Sequence, residues 1–93
     1  PAIGRDLSFV FSNDIAAATI GACIRESAGE LLVSLELVDI YRGKGIKEGQ
    51  KSVTFRLTLQ SNSRSLTDEE ADNITGRIIA AIASGLDGEL RAG

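Results

Sequence analysis

The chain contains no histidine and only one cysteine, Cys23. It therefore lacks the commonest general base and transition-metal ligand, and it cannot form an internal disulfide. It also has no nucleophile paired with a base and no glycine-rich phosphate loop that opens a helix. We therefore do not expect an independent enzyme. Because nothing near Cys23 in the sequence would depress its pKa, we interpret it as a small buried apolar residue rather than a reactive thiol.

Long apolar runs are missing as well. No run approaches the roughly 20 residues that span a bilayer, and the N-terminus lacks the basic-then-apolar pattern of a signal peptide. We expect a cytoplasmic protein without a membrane partner. The length of 93 residues, with 43% apolar and 25% charged residues, is typical of one small globular domain, residues 1–93. Because the chain begins at Pro1, we interpret it as a fragment of a longer chain, with a processed product as the alternative.

Positive charge is concentrated in one segment. Residues 41–65 contain six basic residues against one acidic residue, a net charge of +5, which leaves −8 for the rest of a chain whose net charge is −3. Such a cluster can bind phosphate groups, or it can be a solvated loop beside a strand edge. The charge pattern by itself leaves both interpretations open.

The first part of the chain shows a strand pattern followed by a helix pattern. Residues 5–11 alternate in polarity, and a segment with small and apolar residues on one helical face then extends to Ala28. We expect this helix to start at a capping side chain and to end at Gly29. The capping candidates are Ser12, Asn13 and Asp14.

The second strand, predicted to end at Tyr41, changes phase partway. Its apolar residues occupy odd positions as far as Leu37, whereas Val38 and Ile40 occupy even ones. A bulge or a sharp twist near Leu37 would reconcile the two halves. We expect Val38 and Ile40 to face the core. Asp39 and Tyr41 then project from the opposite, open face of the sheet.

The remaining segments complete the order of elements. A third strand has a polar face that starts at Ser52, and a capping-box pattern at residues 67–70 predicts a second helix that closes near Gly85. Residues 89–91 are long enough for a short final strand. The order β-α-β-β-α-β predicts an α+β, ferredoxin-like sandwich, in which two helices cover one face of a four-stranded antiparallel sheet.

RNA-recognition motifs share this order, and their third strand carries aromatic residues for base stacking. The third strand here has a polar face without aromatic residues, so that mode of RNA binding is not supported. Tyr41 and Asp39 lie instead at the mouth of the basic segment. They could stack on and hydrogen-bond a base, or Tyr41 could shield a strand end while Asp39 caps a turn.

At these same residues the chain resembles the ferredoxin-fold anticodon-binding domain, which ends the β chain of bacterial phenylalanyl-tRNA synthetases. The similar segments cover the chain in order: Pro1 to Leu7, Val38 to Gly43, Ile46 to Ser52, Arg64 to Glu70, and Glu89 to Arg91. Val38 stands where the family usually has Phe, and Ser65 where it usually has Thr. The resemblance favours the bacterial β chain over the organellar single-chain enzyme.

The resemblance implies that the domain binds the tRNA(Phe) anticodon through Asp39, Tyr41 and Ser52. For the parent chain it implies a phenylalanine–tRNA ligase, an ATP- and magnesium-dependent aminoacyl-tRNA synthetase of the cytoplasm. A partner α subunit would carry the aminoacylation site in an α2β2 heterotetramer. The fragment itself is expected to be non-catalytic, without a cofactor and without a DNA partner.

Charge alone leads us to assign phosphate contacts to Arg42, Lys44, Lys47, Lys51 and Arg56. Two other functions are compatible with this fold class. One is a regulatory small-molecule domain, although its ligand loop would need glycine at the first strand-to-helix turn, which is Ser12-Asn13-Asp14 here. The other is a protein-interaction domain that uses the open sheet face.

Overall fold

The computed structural model describes residues 1–91, and its elements follow the predicted order. The strands and helices are β1 (Ile3–Ser12), α1 (Ala17–Ala28), β2 (Leu32–Tyr41), β3 (Gln50–Leu59), α2 (Asp68–Leu86) and β4 (Glu89–Leu90). The strands form one sheet in the order β2-β3-β1-β4, with antiparallel pairing throughout. The predicted ferredoxin-like α+β fold is confirmed.

The core lies between one face of the sheet and the two helices. Alternate residues of β1 and β3, centred on Phe9 and Leu57, pack against the isoleucines of both helices, which include Ile24 and Ile78. All four of these side chains are completely buried. The opposite face carries most of the polar residues of the strands, and we call it the open face. Neither helix in residues 1–91 is long and apolar enough to cross a membrane.

Strand β2 lies at the sheet edge and is irregular at two places. Its register with β3 shifts between Leu32 and Ser34 and again between Leu37 and Asp39, so the predicted irregularity near Leu37 is confirmed. Val38 has no partner on β3 and is 41% exposed, and the expectation that it faces the core is therefore wrong. It is the additional residue of a bulge in an edge strand, and a bulge changes the direction in which its side chain points.

The two helices begin in different ways. Helix α2 has the predicted capping box, because the Thr67 hydroxyl accepts the Glu70 N–H at 3.1 Å and the Glu70 carboxylate accepts the Thr67 N–H at 3.1 Å. Helix α1 begins after Ala16 without any side-chain cap, so the expected cap at residues 12–14 is wrong. Strand β1 extends through Ser12, whose hydroxyl bonds Asp14 instead.

The helix ends are partly as predicted. Helix α1 ends at Ala28, and its cap is the predicted Gly29, which has a positive φ of 79° and donates its N–H to the Arg25 carbonyl at 3.2 Å. Helix α2 passes through Gly85, where we expected it to close, and ends at Leu86. Its cap is Asp87, a non-glycine residue in the left-handed conformation.

Candidate functional site

The predicted site residues meet at one end of the open face. Tyr41 on β2 lies directly opposite Ser52 on β3, and Asp39 lies opposite Thr54 in the next row. Side chains of such cross-strand partners are about 4.5–5.5 Å apart at Cβ, and diagonal neighbours about 7–8 Å apart. Asp39, Tyr41 and Ser52 therefore form one cluster, as the strand alternation predicted.

Tyr41 holds the start of the loop that connects β2 and β3. Its hydroxyl donates a hydrogen bond to the Lys44 carbonyl at 2.9 Å, while its ring remains exposed. Gly43 has a φ of 136°, and a Cβ at this position would approach the Tyr41 hydroxyl to 3.3 Å. Glycine therefore allows the loop to fold close against the ring without strain.

Ser52 is covered, although it belongs to the open face. It is 2% exposed, because Arg91 extends across it. Nη1 of Arg91 donates to the Ser52 hydroxyl at 3.3 Å, and Cζ of Arg91 lies 5.5 Å from the centre of the Tyr41 ring. The Arg91 main chain is held by an N–H bond to the Ser8 carbonyl at 2.8 Å. Arg91 thus forms a cation–π contact with the Tyr41 ring.

Asp39 presents the free acceptor of the cluster. Its side chain is exposed, and within residues 1–91 it forms no ion pair and accepts no side-chain hydrogen bond. A carboxylate can accept two parallel hydrogen bonds from adjacent N–H donors. Asp39 can therefore hydrogen-bond a group that offers two donors side by side.

The loop between β2 and β3, residues 42–49, supplies positive charge beside this cluster; we call it the basic loop. Lys44 and Lys47 are exposed, and Arg42 donates through Nε to the Asn13 side chain at 2.7 Å. The Asn13 N–H in turn donates to the Gly49 carbonyl at 2.8 Å. The turn before α1 thus fixes both ends of the basic loop, and Asn13 is a positioning residue that the sequence pattern did not reveal.

Two of the five predicted phosphate-binding cations lie elsewhere. Lys51 is paired with Phe11 on the helix-covered side of the sheet and is 5% exposed. Arg56 belongs to the open face, but it forms a bidentate ion pair with Asp6, at 2.9 and 3.0 Å. The structure brings only Arg42, Lys44 and Lys47 together at the basic loop.

The chain is similar to one known domain family and to parts of several known proteins. Residues 1–91 match the family model described as the ferredoxin-fold anticodon binding domain. The phenylalanine–tRNA ligase beta subunit of Pseudomonas fluorescens (strain Pf0-1) is 41% identical over 91 residues, which are 98% of this chain and 12% of that protein.

Two other relatives have the same name. The subunit of Shouchella clausii is 41% identical over 92 residues, and that of Haemophilus influenzae is 36% identical over 91 residues. These matches cover 99% and 98% of this chain, but only 11% of each relative, so the chain spans about one-ninth of their length. Because the family model covers nearly the whole chain, the chain belongs to the ferredoxin-fold anticodon-binding domain family.

Proposed function

We propose that this chain recognises the anticodon of tRNA(Phe), as a non-catalytic domain of a phenylalanine–tRNA ligase beta subunit. One observation carries the proposal: a free carboxylate, an exposed tyrosine ring and a hydroxyl share the end of an open sheet face, beside a basic loop. A splayed nucleotide needs these groups, namely a surface for stacking, partners for its base edge and cations for its phosphate.

The base that suits this cluster is guanine, the first base of the phenylalanine anticodon. The Watson–Crick edge of guanine offers N1–H and the N2 amino group as adjacent donors, which Asp39 can accept together. A base that presents only acceptors there would face an uncompensated negative charge. Stacking on Tyr41 contributes about 1–3 kcal/mol and is tolerant of sequence. Asp39 therefore supplies specificity, and Tyr41 supplies binding free energy that does not depend on which base is bound.

Arg91 must share the tyrosine ring with the base or leave it. The base-binding surface is the ring face near Ser52, and Arg91 covers that hydroxyl. When Arg91 moves, Ser52 becomes available for a contact with the base or the ribose. Arg42, Lys44 and Lys47 then lie at the side of the cluster where the phosphates of the incoming strand approach.

The proposal extends to the longer protein to which this domain would belong. We infer that the chain is a fragment of a cytoplasmic β chain that works with α subunits in an α2β2 assembly. ATP-dependent attachment of phenylalanine would take place elsewhere in that assembly. In residues 1–91 no three His, Cys, Asp or Glu side chains converge as they would at a metal site. The proposal assigns the ATP and magnesium of the reaction to other parts of the assembly, as the family resemblance implies.

The test is a binding cycle with a phenylalanine anticodon stem-loop, measured by fluorescence anisotropy. Replacing the first anticodon guanine with inosine removes only the N2 amino group. The wild-type chain should lose about 1–3 kcal/mol of binding, as for other bidentate base contacts. We call this loss the inosine penalty. It should disappear in Asp39→Ala, because the carboxylate that accepts a hydrogen bond from the N2 amino group is missing.

Glu36→Ala is the matched control, because it removes a carboxylate from the same strand one row away. Its inosine penalty should equal that of the wild-type chain. If Asp39→Ala kept the full inosine penalty, Asp39 would not contact the guanine edge. If Tyr41→Ala bound the stem-loop as tightly as Tyr41→Phe, base stacking on this ring would be excluded.

A further inference from the structure

A row of three charged residues crosses the middle of the open face. Arg56 on β3 lies opposite Asp6 on β1 and opposite Glu36 on β2. We call these residues the charged row. Arg56 donates from Nε to Oδ1 of Asp6 at 2.9 Å and from Nη2 to Oδ2 at 3.0 Å. Asp6 therefore holds the guanidinium in a bidentate arrangement, and Glu36 leaves the row with one excess negative charge.

The charged row contributes little to stability. The side chains of Arg56 and Asp6 are 51% and 49% exposed, and water and salt screen exposed ion pairs of this kind. The charged row instead affects which ligands can bind to this part of the open face. A guanidinium already paired with one carboxylate and adjacent to another is a poor ligand for phosphate, because both carboxylates repel that anion.

The part of the open face between the charged row and the Tyr41–Ser52 pair is also unfavourable for phosphate groups. Between the charged row and the Tyr41–Ser52 pair, the hydroxyls of Thr54 and Ser8 bond each other. Asp39 lies opposite Thr54, and its carboxylate is the charged group of this row. Arg56 is four residues from Ser52, about 13 Å along β3. A strand of RNA that followed the sheet beyond the Tyr41–Ser52 pair would therefore place its phosphates over carboxylates.

We infer that the charged row is a specificity determinant, which excludes RNA phosphates from the sheet and confines bound RNA to the Tyr41 end. This inference rests on the proposed function and extends it. Asp6 is the central residue, because it neutralises the cation that would otherwise attract a nucleic-acid backbone to the middle of the open face. The domain would then hold one splayed base on the sheet, with the adjoining backbone over the basic loop.

The test measures binding of the 93-residue chain to single-stranded oligo-uridine, which lacks the anticodon bases, at several salt concentrations. Asp6→Asn removes the partner charge and makes Arg56 available to a phosphate. One additional phosphate contact steepens the dependence of log K on log salt by about 0.7 for single strands. A tenfold decrease in salt should therefore strengthen Asp6→Asn binding by about fivefold more than wild-type binding.

The matched control is Asp72→Asn. Asp72 lies 3.4 Å from Nη2 of Arg5, which projects from the helix-covered side of β1 opposite Leu57. The control therefore removes the same charge beside an arginine on the other side of the sheet. It should leave the salt dependence of oligo-uridine binding close to that of the wild-type chain, and so should Asp6→Asn combined with Arg56→Gln.

Two outcomes would overturn the inference. If Arg56→Gln alone flattened the wild-type salt dependence by about 0.7, Arg56 would already contact phosphate in the natural chain. If Asp6→Asn and Asp72→Asn changed binding equally, net charge and not the charged row would be responsible. Failure of the proposed function gives a different result, namely loss of the preference for guanine over inosine while the oligo-uridine results still separate Asp6→Asn from its control.

Discussion

Gly88 connects the stability of the core to the candidate site, and its substitution tests both. It lies between α2 and β4 and donates its N–H to the Ile82 carbonyl at 3.2 Å. A Cβ at this position would lie less than 3.0 Å from one ring atom of Phe11 and from a methyl group of Ile82. Both neighbours are almost completely buried, so neither can move away freely. Gly88→Ala therefore inserts a methyl group where the core has no space.

Overpacking of this kind costs about 1–3 kcal/mol. If the urea m-value is about 1 kcal/mol/M, as for a small domain, the unfolding midpoint should fall by roughly 1–3 M. An outward movement of β4 would relieve the strain, and β4 carries the main chain that leads to Arg91. We therefore expect Gly88→Ala to weaken the Arg91 contact with Tyr41 as well. Tyr41 is the only tyrosine in a chain without tryptophan, so its fluorescence reports this change directly.

Gly76→Ala is the matched control for urea unfolding and tyrosine fluorescence. Gly76 is an exposed residue within α2, and a Cβ there meets nothing within 4 Å. Alanine should stabilise the helix by about 0.5–1 kcal/mol and leave the Tyr41 fluorescence unchanged. A Gly88→Ala chain that unfolded at the same urea concentration as Gly76→Ala would refute the packing argument.

Two further predictions concern ionisable groups. The hydrogen bond from Arg64, followed by the Thr67 N–H, lowers the pKa of Glu70 to about 2. Because that pKa is below the unfolded value of about 4.3, the stabilisation is complete above that pH and is lost as pH falls toward 2. The difference in Tm between the wild-type chain and Glu70→Gln should thus shrink below about pH 4. A Tm difference that did not change with pH would show that the ionised Glu70 carboxylate does not stabilise the fold. Burial, and secondarily the Glu26 carboxylate, raises the pKa of the Cys23 thiol, so iodoacetamide should alkylate Cys23 at pH 8 more slowly in the folded chain than in urea. Equal rates, measured by mass spectrometry, would show that the folded environment does not protect the thiol.

Local patterns predicted most of the fold. Alternation identified β1 and β3, and the capping box identified the start of α2, because these signals depend on residues close in sequence. The start of α1 was predicted wrongly for a tertiary reason. Ser12 has the chemistry of a helix cap, but it pairs with Gln50 in the sheet, and that long-range pairing extends β1 by one residue. The exposure of Val38 likewise depends on the position of β2 at the sheet edge.

The candidate site was only partly predictable. The alternation of β2 and β3 placed Asp39, Tyr41 and Ser52 on one face. The same alternation could have placed Lys51 on the other face, because Lys51 occupies an odd position, as do the core residues of β3. The Asp6–Arg56 pair required the register between β1 and β3. Arg91 reaches Tyr41 only through the fold, and its sole sequence signal was the resemblance of the last residues to the end of the family.

The bulges of β2 have a consequence beyond the direction of Asp39 and Tyr41. Strand β2 is an edge strand with several partly exposed apolar side chains, among them Val33, Leu37 and Ile40, a composition that favours pairing with the edge of another molecule. Such pairing needs evenly spaced backbone donors and acceptors, and the two register shifts interrupt that spacing over a ten-residue strand. The irregularity that places Asp39 and Tyr41 on the open face therefore also makes the edge a poor template for self-assembly into a continuous sheet.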